Sequence, residues 1–189
     1  RYVYKQIGKA VNNYNMLSDK DTILLCFSGG VDSICLLEML KLRQKKIPIN
    51  FGIKLIYIDY PWQREYRGQI EDYFRSQDFE YYIESIDFEE EGKPLGCFWC
   101  SWQRRKVFFN TAKKLGCNKI AMGHNFDDIV ETIIMNLFFQ SQVSAMSPCQ
   151  EFFSGELKVI RPLCYLQKKD ITEFVSSLHL KIFDSLCPY

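Results

Sequence analysis

Apolar residues recur along the chain in two alternating arrangements, short continuous runs and stripes at helical spacing. The runs predict buried strands at residues 22–27, 54–58, 79–86, 119–122, 157–160 and 181–183. The stripes predict helices at residues 3–17, 31–42, 65–77, 129–138 and 168–178, and one that continues through residues 107–115 after a tight loop at Cys97 and Cys100. Residues 87–94 and 140–155 break both patterns and are predicted to be loops. The alternation predicts an α/β fold, an open, mostly parallel sheet of about five strands with helices on both faces.

The stripe in residues 129–138 consists of Ile129, Ile133, Ile134, Leu137 and Phe138, and we expect it to be buried. Asp59 follows the second predicted strand, at the edge of an open α/β sheet where ligands bind. The stripe thus indicates which face of this helix should pack on the core, and Asp59 indicates which edge of the sheet should face a ligand.

The first strand runs into Ser-Gly-Gly-Val-Asp-Ser at residues 28–33, directly before a helical stripe. Gly29 and Gly30 lack Cβ atoms, so the backbone N–H groups of the turn can approach a ligand closely. Ser28 and Ser33 add hydroxyl donors, and the following helix turns its positive end toward the same point. This order predicts a phosphate-binding turn. It differs from the G-x-x-x-x-G-K-[ST] loop because no lysine closes it.

Cysteines form the second candidate site, since Cys97 and Cys100 are three positions apart and Cys187 follows near the end. Two thiolates at this spacing can hold one metal ion or cluster, and three cysteines would leave one iron of a four-iron cluster without a protein ligand. A redox pair, half of a zinc site and two unconnected buried cysteines remain alternatives. Arg104 and Arg105 follow one turn later, where cations stabilise thiolates or bind phosphate.

Composition limits the remaining choices. With 189 residues and 47% hydrophobic content, residues 1–189 are expected to form a single domain. The apolar runs reach about six residues, far short of the ~20 that span a bilayer, and no signal-peptide pattern opens the chain, so we expect a cytoplasmic protein without membrane contact. The net charge of +1 requires any nucleic-acid surface to be local. The candidates are Arg104, Arg105, Lys106, Lys113 and Lys114, with Lys168 and Lys169 as further candidates.

Taken together, the motifs resemble those of the tRNA-thiolating enzymes of the TtcA/TtuA type, within the PP-loop ATP pyrophosphatase superfamily. The similarity is greatest to the 2-thiocytidine branch and runs almost from end to end. It rests on Asn15-Met16, residues 28–33, residues 97–105, Gly123-His124, Asp127-Asp128, residues 159–163 and residues 169–171.

The resemblance implies an ATP-binding site, a [4Fe-4S] cluster and Mg²⁺. The implied ATP-binding residues are Ser28, Gly29, Gly30, Asp32, Ser33, Gly123 and His124, with Asp32 helping to place Mg²⁺. The implied cluster ligands are Cys97, Cys100 and Cys187, and the implied catalytic residues are Asp59, Arg104, Asp127 and Asp128. The implied partners are tRNA and a sulfur donor such as a cysteine desulfurase, and the resemblance also allows a homodimer.

The expected reaction is ATP-dependent sulfur transfer to a tRNA base through an adenylated intermediate. Oxide is a very poor leaving group, so a base carbonyl oxygen must be adenylated before sulfur can replace it. Two alternatives stay open at this point. The chain could adenylate a small molecule, with the cysteines binding zinc or serving structure, or it could be a catalytically silent metal-binding module.

Overall fold

The computed structural model describes residues 1–86 and 96–183 of the chain. The helices are α1 (Tyr2–Asn13), α2 (Val31–Lys46), α3 (Arg64–Ser76), α4 (Cys97–Lys114), α5 (Phe126–Gln140) and α6 (Lys168–Ser177). The strands are β1 (Thr22–Phe27), β2 (Gly52–Asp59), β3 (Glu80–Ser85), β4 (Lys119–Ala121), β5 (Cys149–Phe152) and β6 (Leu157–Ile160). They form a sheet in the order β3-β2-β1-β4-β6-β5, in which only β5 runs antiparallel to its neighbour.

The side chains of β1 alternate between two hydrophobic layers. Ile23 and Leu25 pack with residues of α1, α2, α3 and α6 on one face of the sheet. Leu24 packs on the opposite face with Phe108 and Ala112 of α4. Because β1 is buried on both faces, its sequence is a continuous apolar run. The predicted α/β architecture, with helices on both faces of a mostly parallel sheet, is confirmed.

A buried ion pair fixes the amino-terminal end of the sheet. The Lys119 ammonium lies 2.6 Å from the Asp21 carboxylate, and each side chain is only 4% exposed. Asp21 also accepts hydrogen bonds from the Ser18 N–H and the Asn118 amide, while Lys119 donates to the Met16 carbonyl. A buried pair with this many partners holds the starts of β1 and β4 in register. The carboxyl ends of β1 and β4 lie at the opposite edge of the sheet, away from this ion pair.

The strand order reverses between β1 and β4, because β1 is followed in space by β2 on one side and β4 on the other. In open α/β sheets, such a switch point opens a crevice at the carboxyl ends of the strands. The turn at residues 28–33 leaves β1 at this edge, and Gly123 follows β4 at the same edge. The fold thus brings two of the sequence motifs to the same crevice.

Several details differ from the sequence predictions. The sheet has six strands in the described ranges rather than about five, since β5 lies inside the predicted loop at 140–155. Residues 181–183 are not a strand, although the Phe183 N–H donates to the Gly29 carbonyl at 2.9 Å. Helix α2 continues to Lys46 instead of ending near residue 42. The predicted loop at 87–94 lies outside the described residues.

The prediction of a buried stripe on α5 is wrong. Ile134, Leu137 and Phe138 are 48%, 48% and 76% exposed, and neighbouring Phe139 is 83% exposed. Ile129 is partly buried near the helix start, where it contacts the core. The apolar spacing correctly predicted a helix, but nothing in the described ranges covers its second half. None of the helices in these ranges is both long and apolar enough to cross a bilayer.

Candidate active site at the sheet switch point

The turn after β1 has the geometry of a phosphate-binding site. Gly29 has φ of +84°, a left-handed conformation that glycine adopts without strain, and an added Cβ would lie 2.8 Å from Phe183 Cβ. Gly30 is the N-cap of α2 and has no side chain to cap the first-turn N–H groups. The Ser33 hydroxyl donates to the Gly30 carbonyl at 2.8 Å and holds the turn closed. Free N–H groups at a helix start favour an anion.

Asn125 connects the start of α5 to the start of α2. Its side-chain oxygen accepts hydrogen bonds from the Asp127 and Asp128 N–H groups, and the Asp128 carboxylate accepts from the Asn125 N–H, which completes a capping box. Its amide group donates to Asp32 Oδ1 at 3.0 Å. Asn125 is only 2% exposed, so this link is rigid and sets the separation between the two helix starts.

The two acidic residues predicted on α5 point to different partners. Asp128 lines the cavity described below, whereas the Asp127 carboxylate accepts a hydrogen bond from the Lys168 N–H at 2.7 Å, at the start of α6. The Lys168 ammonium in turn pairs with Asp32 Oδ2. These contacts bring α2, α5 and α6 together around Asp32.

His124 follows Gly123 and contacts a buried arginine. The Arg161 Nε–H donates to His124 Nδ1 at 3.2 Å, and Arg161 Nη1 donates to the Ser147 carbonyl at 2.6 Å. Burial, and after it the positive charges of Arg161, Arg104 and Arg105, lower the pKa of His124 to about 4. The imidazole is therefore neutral, and because guanidinium only donates, its proton resides on Nε2.

Helix α4 brings the cysteine motif to the same crevice. Cys97 and Cys100 lie in its first turn, with Cys100 against the cavity and Cys97 exposed. Burial raises the pKa of the Tyr60 hydroxyl to about 12, and this hydroxyl shares hydrogen bonds with the Arg104 guanidinium and the Cys100 thiol. Tyr60 follows β2, so the cysteine turn is fixed to the sheet edge.

A single cavity of about 760 Å³ joins these elements. Its size is that of a site for a small ligand or cofactor. Its walls include the aromatic and aliphatic side chains of Phe108, Phe109, Met122 and Phe152. The predicted site residues that line it are Ser28, Gly30, Asp32, Ser33, Cys100, Arg104, Gly123, His124 and Asp128. The phosphate turn and the cysteine helix thus face one space.

Other predicted site residues lie beside the cavity rather than in its lining. Asp59 lies at the carboxyl end of β2 and is 4% exposed, and its carboxylate accepts from Arg67 at 3.0 Å. Gly29, Cys97 and Asp127 are likewise absent from the lining. Cys187 lies outside the described residues. The roles of these residues remain predictions.

The sequence did not predict the roles of Tyr60 and Asn125, or the contacts of Arg161 with His124 and of Lys168 with Asp32. The N-x-x-D order at residues 125–128, before an apolar stripe, is a readable capping-box signal for Asn125. Arg161 and Lys168 instead reach partners that are 37 and 136 residues away in sequence. No local pattern predicts such contacts.

The fold and the cavity define a nucleotide-binding α/β domain, with an anion-binding turn after β1 and a second ligand loop after β4. Residues 2–185 match the model of the PP-loop domain family, and the chain belongs to this family.

Curated relatives share this family. The chain is 39% identical over 189 residues to a tRNA-cytidine(32) 2-sulfurtransferase of Cupriavidus necator, covering 96% of this chain and 60% of the relative. It is also 39% identical over 181 residues to the enzyme of the same name from Methylobacillus flagellatus, covering 93% and 60%. The chain thus spans about 60% of the length of these relatives.

Solved structures share the fold. The U34-tRNA thiolase NcsA of Methanococcus maripaludis, solved with its [4Fe-4S] cluster, superposes with a TM-score of 0.80 at 22% identity, covering 100% of this chain and 67% of that one. The phosphoadenylyl-sulfate reductase of Candida auris superposes with a TM-score of 0.57 at 12% identity, covering 93% and 81%. At these identities, the likeness supports the fold alone.

Proposed function

We propose that the chain catalyses ATP-dependent sulfur transfer to a tRNA base. The observation that carries this proposal is the shared cavity, in which the phosphate-binding turn faces Cys100 and Arg104. A small-molecule adenylating enzyme needs the turn but has no need of a thiol helix beside it. The names of the 39%-identical relatives support tRNA as the substrate and make cytidine the first base to assay.

The cysteines would hold the [4Fe-4S] cluster. Cys97 and Cys100 fit this role because they occupy one helical turn, and sulfur donors are the ligands that iron–sulfur clusters require. In residues 1–86 and 96–183, no group of three His, Cys, Asp or Glu side chains is arranged to hold a metal ion. Our candidate for the third ligand is Cys187, which the family resemblance implies. When bound, such a cluster supplies an iron with an open coordination position for sulfur.

In the proposed reaction, the base carbonyl oxygen attacks the α-phosphorus of ATP and pyrophosphate leaves. The N–H groups of the turn and the Ser28 hydroxyl would bind this pyrophosphate, and Asp32 would hold Mg²⁺, which prefers carboxylate oxygen. A donor such as a cysteine desulfurase carries its sulfur as a persulfide, so a two-electron reductant such as a thiol would first release it as hydrosulfide, which then attacks the adenylated carbon. The C–O bond breaks and AMP leaves.

The remaining cavity residues would orient the reactants. The Arg104 guanidinium is positioned by Tyr60 to neutralise charge on a phosphate, and the neutral His124 presents its Nε2–H as a donor rather than a base. Asp128 is held by its capping box at the cavity wall, where it would orient the base. Asp59 would act by holding the Arg67 guanidinium, and Asp127 would act by holding the start of α6.

Iron content tests the proposal. After anaerobic purification, we expect iron and acid-labile sulfide in the wild type, and loss of both in the single variants Cys97→Ser, Cys100→Ser and Cys187→Ser. Cys35→Ala is the matched control, because Cys35 is buried in the core behind the sheet. Stoichiometric zinc without iron in the wild type would contradict the proposal and favour a small-molecule adenylating enzyme.

We further propose that the chain works as a homodimer in the cytoplasm, where tRNA is modified. The exposed apolar surface of α5, formed by Ile134, Met135, Leu137, Phe138 and Phe139, supports a dimer because a second copy would cover it. Light scattering should give twice the chain mass for the wild type. A monomeric mass at micromolar concentration would count against the dimer.

A further inference from the structure

The phosphate-binding turn carries a negative charge that opposes the binding of an anion. Its only charged residue is Asp32, in the first turn of α2, and that carboxylate lines the cavity. A triphosphate brought to this turn would meet a negative charge, and the backbone N–H groups carry only partial positive charge. Mg²⁺ held by Asp32 would offset part of the charge of the triphosphate, and a cationic side chain beside Asp32 would offset more of it.

Lys168 supplies a cation at this position. Its ammonium contacts Asp32 Oδ2, although the two residues are 136 positions apart in sequence. An ammonium has three donors, and among the described residues Asp32 is the acceptor that Lys168 Nζ contacts. The Lys168 side chain is 51% exposed, so its other donors face solvent at the rim of the turn.

The backbone of Lys168 is fixed by a hydrogen bond, and its side chain is half-exposed. The Lys168 N–H donates to Asp127 at 2.7 Å, and Asp127 is adjacent to the capping box of Asn125 and Asp128. Asn125 in turn holds Asp32 Oδ1. Both ends of the Lys168–Asp32 pair are therefore tied to one rigid network, which keeps the ammonium near the turn.

Two of the three arginines that line the cavity are committed elsewhere, and the third, Arg105, lies with Arg104 on the cysteine helix α4. Arg161 donates to His124 and to the Ser147 carbonyl. Arg104 shares a hydrogen bond with Tyr60 on the cysteine side. Lys169, the neighbour of Lys168, is 80% exposed and pairs with Glu173 along the helix at 4.0 Å. Lys168 is thus distinguished from the adjacent lysine by its contact with the turn.

We infer that Lys168 is an ATP-binding residue that moves from Asp32 to the β- and γ-phosphates when Mg²⁺-ATP binds. This inference rests on the proposed ATP site at residues 28–33. When the ammonium moves to the phosphates, the Asp32 carboxylate becomes available to Mg²⁺. The same movement of Lys168 therefore favours the binding of both ATP and the metal ion. Lys168 thereby supplies the cation that the turn itself lacks.

Nucleotide affinity tests this role. We expect Lys168→Met to raise the Kd for Mg²⁺-ATP about tenfold, as befits loss of one charge-assisted hydrogen bond at a half-exposed site. The Kd for AMP should not change, because AMP lacks the two phosphates that Lys168 contacts. Lys168→Arg should keep most of the ATP affinity. Lys169→Met is the matched control on the same helix and should bind ATP like the wild type.

Equal weakening of ATP and AMP binding by Lys168→Met would assign Lys168 a structural role and overturn the inference. An ATP Kd within twofold of the wild type would overturn it as well. Failure of the proposed ATP site has a different signature. In that case, Gly30→Val would leave the wild-type ATP affinity unchanged, whatever the result at Lys168.

Discussion

His124 shows how the cavity fixes the chemistry of a single side chain. Arg161 donates to Nδ1, and three arginines oppose protonation while Asp32 favours it. The result is a neutral imidazole with a fixed tautomer, which can donate a hydrogen bond through Nε2. Because Nδ1 accepts from Arg161 and Nε2 carries the proton, the imidazole presents a donor rather than a base to the cavity.

The lowered pKa of His124 predicts an acid-dependent loss of stability. The pKa is about 4 in the folded chain and 6.5 ordinarily, so the unfolded chain binds the proton first as pH falls. The contribution is complete above pH 6.5 and is lost between pH 6.5 and about 4, by up to about 3 kcal/mol. Urea unfolding of the wild type and His124→Gln across this range should show a smaller pH dependence in the variant.

Proton NMR provides a direct check, because the chain has only two histidines. The His124 resonance should not shift as pH falls until well below 6.5, with exposed His179 as the second signal for comparison. Titration of His124 near pH 6.5 would show that the imidazole is neither buried nor restrained by Arg161 in solution.

Helix α4 runs from the cysteine turn beside the cavity to an exposed basic end. Its first turn carries Cys97 and Cys100, its middle presents Arg104 and Arg105 to the cavity, and its last turn carries exposed Lys113 and Lys114. A tRNA bound along this helix would therefore place a base near the cysteine turn. The exposure of the lysines agrees with the predicted basic surface, while its role in tRNA binding is still to be tested.

Charge reversal at the end of α4 tests that surface. Lys113→Glu with Lys114→Glu should weaken tRNA binding roughly tenfold at low salt and reduce the salt dependence by about two phosphate contacts, since fewer counterions are released. ATP affinity should be unchanged. The control is Lys5→Glu with Lys9→Glu on α1, which packs on the opposite face of the sheet. Equal loss in both double variants would indicate a non-specific charge effect.

Element prediction succeeded where the local pattern determines the structure. The apolar run of β1 and the glycine turn were readable because burial on both faces and positive φ leave local signatures. Strand β5 was missed because its sequence, Cys-Gln-Glu-Phe, has two polar central residues and gains its structure from pairing with β6. Exposure of α5 was missed because spacing predicts a helix but not what covers it.

For the whole molecule, the sequence predicted the parallel α/β sheet and nine of the residues that line the cavity. Motifs that leave adjacent strands at a switch point must meet, so Ser28, Gly123 and His124 were predictable together. Contacts that depend on side-chain reach, such as Lys168 to Asp32 and Arg161 to His124, were not predictable. The orientations of the Asp59 and Asp127 carboxylates were not predictable either. These carboxylates contact Arg67 and the Lys168 N–H instead of lining the cavity.

We propose that the phosphate turn and the cysteine helix serve one reaction in one cavity. Gly30 is suited to test it, since its φ of −77° suits any residue and an added Cβ would meet only Ser28 Oγ at 3.5 Å. Gly30→Val should therefore fold, as checked by thermal unfolding, while its side chain enters the space for phosphate.

The decisive measurement follows ATP labelled at the α-phosphate in an anaerobic reaction with tRNA and sulfide. We expect AMP and pyrophosphate only when tRNA is present, together with a thiolated nucleoside detected by mass spectrometry in equal amount. Gly30→Val should lose all three products. Formation of ADP, AMP release that does not depend on tRNA, or a thiolated nucleoside made by Gly30→Val at the wild-type rate would contradict the account.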